Sequence, residues 1–157
     1  MSGQDTTAAD ERYMRMALDQ AQQASDMGEV PVGAVVVCEG RILGRGHNLT
    51  ETLGDVTAHA EMQAITAAAQ TAGGKYLDRA TLYVTVEPCL MCAGAIAWSQ
   101  IRRIVYGASD PKRGYSTFVA PQKGNPSAPF HPRATVVGGV LAEECGALMK
   151  EFFAARR

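Results

Sequence analysis

The sequence predicts an α/β fold, a three-layer α/β/α sandwich on a mixed five-stranded sheet, and three observations predict it. A β-branched run followed by a Glu-Gly turn near the start reads as a hairpin. Beyond it, strand-like and helix-like segments alternate to the end of the chain. Neither an internal repeat nor a long linker divides them.

Each element has a local justification. Met14, Ala17, Leu18, Ala21 and Ala24 recur at helical spacing behind Asp10, which reads as an N-cap, and Gly28 supplies the stop. Val32 to Val37 is strand-like, and Glu39-Gly40 turns it into a second strand, Arg41 to His47. A long helix from Ala58 to Ala72 closes on Gly73-Gly74. Thr81 to Val86 is the third strand, Cys89 to Trp98 the third helix and Ile104 to Gly107 the fourth strand. Pro121, Pro126, Pro129 and Pro132 make Gly114 to Pro132 a loop with little regular structure. A short strand at Thr135 to Val137 and a last helix from Leu141 to Ala155 complete the pattern. The expected organisation is a flexible N-terminus over residues 1–9 and a single domain over 10–157.

Composition narrows the functional classes. At 157 residues, 46% hydrophobic and 20% charged, the chain suits one compact domain with a single core, and disordered, collagen-like and disulfide-scaffold classes drop out. The longest apolar run, Val30 to Cys38, is far below the ~18 residues that span a bilayer, and Ser2 to Asp10 is polar and acidic. No membrane segment and no secretory signal are expected. Two of the four cysteines form a Cys-x-x-Cys, which points to metal chemistry in a reducing cytoplasm. Cys38 and Cys145 sit in apolar or helix-like surroundings and read as buried small hydrophobes. A net charge of -1 leaves any nucleic-acid contact to a local patch, for which Arg102, Arg103, Lys112, Arg113, Arg156 and Arg157 are the candidates. The alternative for each is a solvated surface.

The chemistry is carried by His59-Ala60-Glu61 and by Pro88-Cys89-Leu90-Met91-Cys92. Zinc favours a tetrahedral shell of nitrogen and sulfur, and its catalytic sites use three protein ligands with the fourth position open to water. His59, Cys89 and Cys92 make three. His47, on the hairpin, and His131, in the proline-rich loop, have no metal-ligand spacing. If Pro88 opens a helix, Cys89 and Cys92 both point from its first turn toward one spot, where the helix start favours thiolates. His59 and Glu61 are two apart and would diverge on a regular helix. Both serve one site only if that site lies off the helix end. Two thiolates already neutralise the zinc dication, so a bound water needs a neighbouring base, and Glu61 is positioned to shuttle the proton. The backbone N–H of Ala60 is placed to stabilise oxygen on a tetrahedral intermediate. The open alternatives for a lone Cys-x-x-Cys are a redox pair or half of a structural zinc knuckle.

Joined in this order, the motifs resemble those of the cytidine deaminase fold superfamily, and within it those of the bacterial tRNA-specific adenosine deaminases. The carrying segments are Gly28 to Ala34, Thr57 to Glu61, Thr81 to Cys89, Cys92 to Ala95 and Gly107 to Asp110, and the similarity runs from about Glu11 to Arg157. The resemblance implies one Zn2+ per subunit on His59, Cys89 and Cys92, Glu61 as proton shuttle, a homodimer, and a tRNA anticodon loop as substrate. It implies substrate contacts from Asn48, Asp110, Val30 and Ala60; a turn residue after a strand is the alternative for Asn48, and a cap for Asp110. Phe152-Phe153 before Arg156-Arg157 resembles a C-terminal helix that meets the anticodon stem, with core packing as the alternative. Trp98 stands where many tRNA enzymes carry a histidine and guanine deaminases of the superfamily tend to carry tryptophan. The alternative function is therefore deamination of a free base or nucleoside, a small purine or pyrimidine.

Overall fold

The computed structural model describes residues 3–156, with residues 3–7 described by backbone alone. The elements run α1 (Gly3–Asp26), β1 (Gly33–Cys38), β2 (Arg41–His47), α2 (Thr50–Leu53), α3 (Ala60–Ala72), β3 (Thr81–Val86), α4 (Leu90–Trp98), β4 (Arg103–Ala108), α5 (Tyr115–Phe118), β5 (Thr135–Val137) and α6 (Ala142–Ala154). The five strands form one sheet in the order β2-β1-β3-β4-β5. β1 runs antiparallel to both β2 and β3, whereas β3, β4 and β5 are parallel, so the sheet is mixed as expected. The hairpin turn falls on Glu39 and Gly40, both at positive φ (51° and 78°).

Two apolar clusters make the three layers. On one face, Val36, Leu82, Val84 and Ile104 of the sheet meet Ala60, Ala64 and Ala68 of α3 and Ile96 of α4. On the other, Val35, Tyr83 and Val105 meet Tyr13, Met14 and Ala17 of α1 and Cys145 of α6. Met14, Ala17, Ala21 and Ala24 are wholly buried, which accounts for their helical spacing in the sequence. Burying a side chain the size of Met14 stabilises the fold by about 1.5–3 kcal/mol.

Three expectations need correction. Asp10 does not cap α1, which begins at Gly3. The Asp10 carboxylate instead turns into the protein, where both its oxygens accept from the Arg103 guanidinium at 2.7 Å and one also accepts from the Tyr83 hydroxyl at 2.8 Å. A carboxylate satisfied by a tertiary ion pair is unavailable for capping, and Arg103 is thereby removed from the pool of nucleic-acid contacts. Met1 and Ser2 of the N-terminal segment lie outside the described residues. The second correction concerns the helix after the hairpin, which starts at Ala60 with His59 as its N-cap, so Ala58 lies before it. Third, a short helix, α5, interrupts the stretch from Gly114 to Pro132 read as loop, and another, α2, lies between β2 and α3, where no element was assigned. The proline-rich stretch itself is held against the core: Phe130 is buried with its ring 4.7 Å from that of Tyr115, and Asn125 Nδ2 donates to the Phe130 carbonyl.

Candidate active site

The site forms where two helix N-termini meet at one end of the sheet. His59 is the N-cap of α3 and Cys89 the N-cap of α4, both in extended backbone (φ -73°, ψ 159° and φ -75°, ψ 174°). Pro88 therefore precedes α4, and both cysteines still fall on its first turn. What seats α3 so close to the sheet is the absence of a side chain at two positions of β2, Gly44 and Gly46. A Cβ on Gly46 would strike the Ala60 carbonyl and stand 2.6 Å from the Ala64 nitrogen, and one on Gly44 would stand 2.6 Å from the Ala68 nitrogen. Ala60, Ala64 and Ala68 supply the matching small face, so the glycines of the strand fix the height of His59 and Glu61 above the sheet.

The ligand atoms of His59, Cys89 and Cys92 all lie within 4.8 Å of one another. His59 Nδ1 is 3.7 Å from Cys89 Sγ and 3.4 Å from Cys92 Sγ. Ligand atoms at ordinary zinc–nitrogen and zinc–sulfur bond lengths in a tetrahedron stand about 3.6 Å apart. The spacing and the donor set both fit zinc. Among the described residues no fourth side chain joins this group. His47 instead pairs with Gln20 at 3.1 Å, and His131 accepts from the Arg133 backbone at 3.0 Å.

Electrostatics separate the roles of these groups. The Cys89 thiol is pushed down to about 4, first by its hydrogen bond with Cys92 and then by His59, against the cost of burial. Cys92 moves the other way, because it donates that hydrogen bond and is buried. Without a metal the two sulfurs share one proton between them. His59 is raised, chiefly by its hydrogen bond with Cys89. Glu61 is 3% exposed, and burial pushes its carboxyl up to about 7, with the negative charge at Cys89 adding to the rise and His59 opposing it. A carboxyl poised near neutral pH can both take and return a proton.

These groups open onto a cleft of about 710 Å³. Val30, Asn48, Ala60 and Asp110 line it, so all four expected substrate contacts are brought to the same place as His59, Glu61 and Cys89. Asn48 and Asp110 also make the local bonds expected of a turn residue and a cap. Asn48 Oδ1 accepts from the Thr50 backbone at 3.2 Å while its Nδ2 donates to the Val30 carbonyl at 3.3 Å. Asp110 Oδ1 accepts from the backbones of Lys112 and Arg113 at 3.1 and 3.0 Å.

Each wall of the cleft is anchored by a buried glutamate. Glu29 accepts from the backbones of Glu51 and Thr52 at the start of α2, at 3.1 and 2.6 Å. Burial alone would raise its pKa, but these bonds with Thr52 and Glu51 win and lower it. Glu87 holds the opposite wall.

The sequence reading missed part of the rim. Gly146, Met149, Lys150 and Phe153 of α6 also line the cleft, beside Lys112 and Arg113. Their i, i+3, i+4, i+7 spacing was the available signal, since it places them on one helix face. Of the paired phenylalanines, Phe152 is core and Phe153 is 48% exposed at the cleft, while the Arg156 guanidinium stacks on Phe152. Arg157 lies outside the described residues. Trp98, 84% exposed at the end of α4, does not line the cleft.

The comparisons agree with this geometry. The chain is 47% identical to the tRNA-specific adenosine deaminase of Bacillus subtilis (strain 168) over 144 residues, 92% of this chain and 88% of that protein. A solved structure from studies of A-to-I editing by tRNA:A34 deaminases at the wobble position of transfer RNA is 41% identical, with a TM-score of 0.79, covering 87% of this chain and 98% of that one. The guanine deaminase of Bacillus subtilis is similar at 32% identity and a TM-score of 0.63, over 77% of this chain and 83% of that one. With residues 8–157 matching its family model, the chain belongs to the MafB19-like deaminase family.

Proposed function

We propose that this chain hydrolytically deaminates adenosine to inosine at the wobble position of tRNA. The observation that carries the reading is the composition of one cleft: a buried carboxyl, Glu61, beside the His59, Cys89 and Cys92 group, with Lys112, Arg113 and Lys150 on the rim. A neutral free base needs no cationic rim, whereas a polyanion does. An anticodon loop also presents a base that is already unstacked, which spares the cost of extruding it from a duplex. Similarity to the tRNA-specific adenosine deaminases supports the same substrate.

His59, Cys89 and Cys92 would hold one zinc ion, which when bound supplies the Lewis acidity that brings a water toward ionisation at neutral pH. Glu61 handles the protons: it accepts one from the attacking water and delivers it to a ring nitrogen of the base, then takes the second from the newly added hydroxyl and gives it to the amino group, which leaves as ammonia. Ala60 offers its backbone N–H at the positive end of α3 to charge developing on oxygen. Asn48, after its two local bonds, keeps one Nδ2 hydrogen and one Oδ1 lone pair for the edge of the purine. Val30 gives the base an apolar wall, and Asp110 retains Oδ2 as an acceptor.

The working unit in this reading is a homodimer of single catalytic domains in the cytoplasm, where reducing conditions keep Cys89 and Cys92 free for metal. The exposed Leu90 and Trp98 on one side of α4 support such an interface. Among the described residues no helix is long and apolar enough to cross a membrane.

Incubation of the purified protein with a tRNA pool, followed by mass spectrometry of its nucleosides, tests the activity. Inosine at the wobble position is expected. Its absence, together with ammonia release from free guanine, would move the assignment to a free-base deaminase.

A further inference from the structure

Glu87 sits at the end of β3, immediately before the Pro88-Cys89 step, and is 5% exposed. Its backbone N–H donates to the Ala108 carbonyl at 2.8 Å, which closes the end of the β3/β4 pair. Its carboxylate then reaches sideways into the loop that follows β4. Oε1 accepts from the Asp110 backbone at 3.1 Å, and Oε2 accepts from the Ser116 backbone at 3.0 Å and from the Ser116 hydroxyl at 2.6 Å. Among the described residues no cation pairs with it. The loop is shaped to receive it: a Cβ on Gly114 would collide with the Glu87 carboxyl and stand 2.6 Å from the Asp110 carbonyl.

A buried carboxylate is costly unless its lone pairs are filled, and here every donor comes from residues 110–116. That segment carries Asp110, Lys112 and Arg113 into the cleft, and Asp110 Oδ1 in turn ties down the backbones of Lys112 and Arg113. The hydrogen-bond chain therefore runs from the strand end through Glu87 to the cationic rim.

We infer that Glu87 is a positioning residue for substrate binding, which holds the loop over residues 109–116 so that Asp110, Lys112 and Arg113 form one wall of the cleft. The inference rests on the tRNA deaminase reading for its substrate. Glu87→Gln tests it, because the amide keeps one acceptor oxygen and turns an NH2 group toward a backbone N–H. Zinc content close to the unmodified protein, a KM for tRNA raised about tenfold and a kcat within about threefold are expected. Hydrogen exchange at the amides of Asp110 and Ser116 should quicken in the same variant, a readout that needs no activity. Ser116→Ala, which removes a single donor from an exposed residue, should raise KM by about threefold and decides the matter if Glu87→Gln does not fold. Unchanged KM and unchanged exchange in a folded variant, or a loss confined to kcat, would overturn the inference. If the unmodified protein made no inosine, the functional reading would fail instead, and amide exchange would still judge the clamp.

Discussion

Cys92 Sγ lies 3.4 Å from His59 Nδ1 across the gap between two helix N-termini, and the third member of the group, Cys89 Sγ, lies 3.7 Å from the same nitrogen. Two cysteine sulfurs and an imidazole nitrogen at this spacing predict about one zinc per chain. Because the Cys89 and Cys92 pair keeps a proton between its sulfurs, metal uptake must expel it, and apparent affinity should fall as the pH is lowered. Cys92→Ala and Cys89→Ala should each lose metal and turnover together, by elemental analysis and inosine formation. Full zinc occupancy in Cys92→Ala would contradict the ligand assignment.

Glu61→Gln should retain zinc and lose about 10²–10⁴-fold in turnover, the range associated with a missing general acid–base. It also makes a stability prediction with a definite sign. The folded protein holds the Glu61 proton up to about pH 7, against an ordinary value of 4.5. Stability from that group is complete below about pH 4.5 and is lost as the pH rises through about 7, amounting to ~3 kcal/mol at most. The glutamine variant, free of this loss, should melt higher than the unmodified protein at pH 8 and alike at pH 4. The comparison requires a chelator, since a bound cation would favour the carboxylate. Equal melting temperatures at pH 8 would show that Glu61 ionises without strain.

Gly46→Ala should disturb the site from beneath. The added methyl meets backbone, the Ala60 carbonyl and the Ala64 nitrogen, neither of which can rotate away. The cost expected for such overpacking is about 1–3 kcal/mol. Lifting the first turn of α3 also moves His59 and Glu61, so zinc affinity and turnover should fall with stability. Gly74→Ala, just past the end of α3, is the control: nothing lies within 4 Å of its Cβ, and loss of a glycine at an ordinary backbone angle should leave stability equal or raised by about 0.4–1 kcal/mol. Denaturant melts of the two variants, read beside their zinc content, separate a local clash from a general intolerance of substitution.

The contrast between Gly46 and Asp10 shows what was legible in the chain. Strands and long helices could be read because their apolar periodicity reflects burial on one or two faces, as in Val32 to Val37 and Met14 to Ala24. The metal group could be read because ligand chemistry tolerates few residue types and short spacings. Asp10 misled because a carboxylate ahead of an apolar helix face has the same signature whether it caps the helix or pairs with Arg103, more than ninety residues away in sequence. Gly44 and Gly46 look like loose strand positions until α3 lies across them. Glu29 and Glu87 carry no periodic signal, because their partners are backbone amides fixed only by the tertiary fold. The cationic rim was half legible: Lys112 and Arg113 stood out as a pair, whereas Lys150 is brought beside them by the docking of α6.

That rim gives the prediction that separates a tRNA substrate from a free base. Lys112, Arg113 and Lys150 are exposed around the cleft and come from two elements distant in sequence. If they meet phosphates, replacing each with Gln or Ser should weaken tRNA binding without altering zinc content or melting temperature. The salt dependence of binding should also flatten, with the slope of log K against log[salt] falling by about 0.7 for each single-strand phosphate contact removed. A short neutral nucleoside should be bound equally by the unmodified and triple-substituted proteins, since it offers no phosphate. Titrations at several salt concentrations give both quantities. An unchanged slope in the triple variant would mean that the backbone of the RNA runs elsewhere, and the cleft would then have to recognise its base without electrostatic help from these three residues.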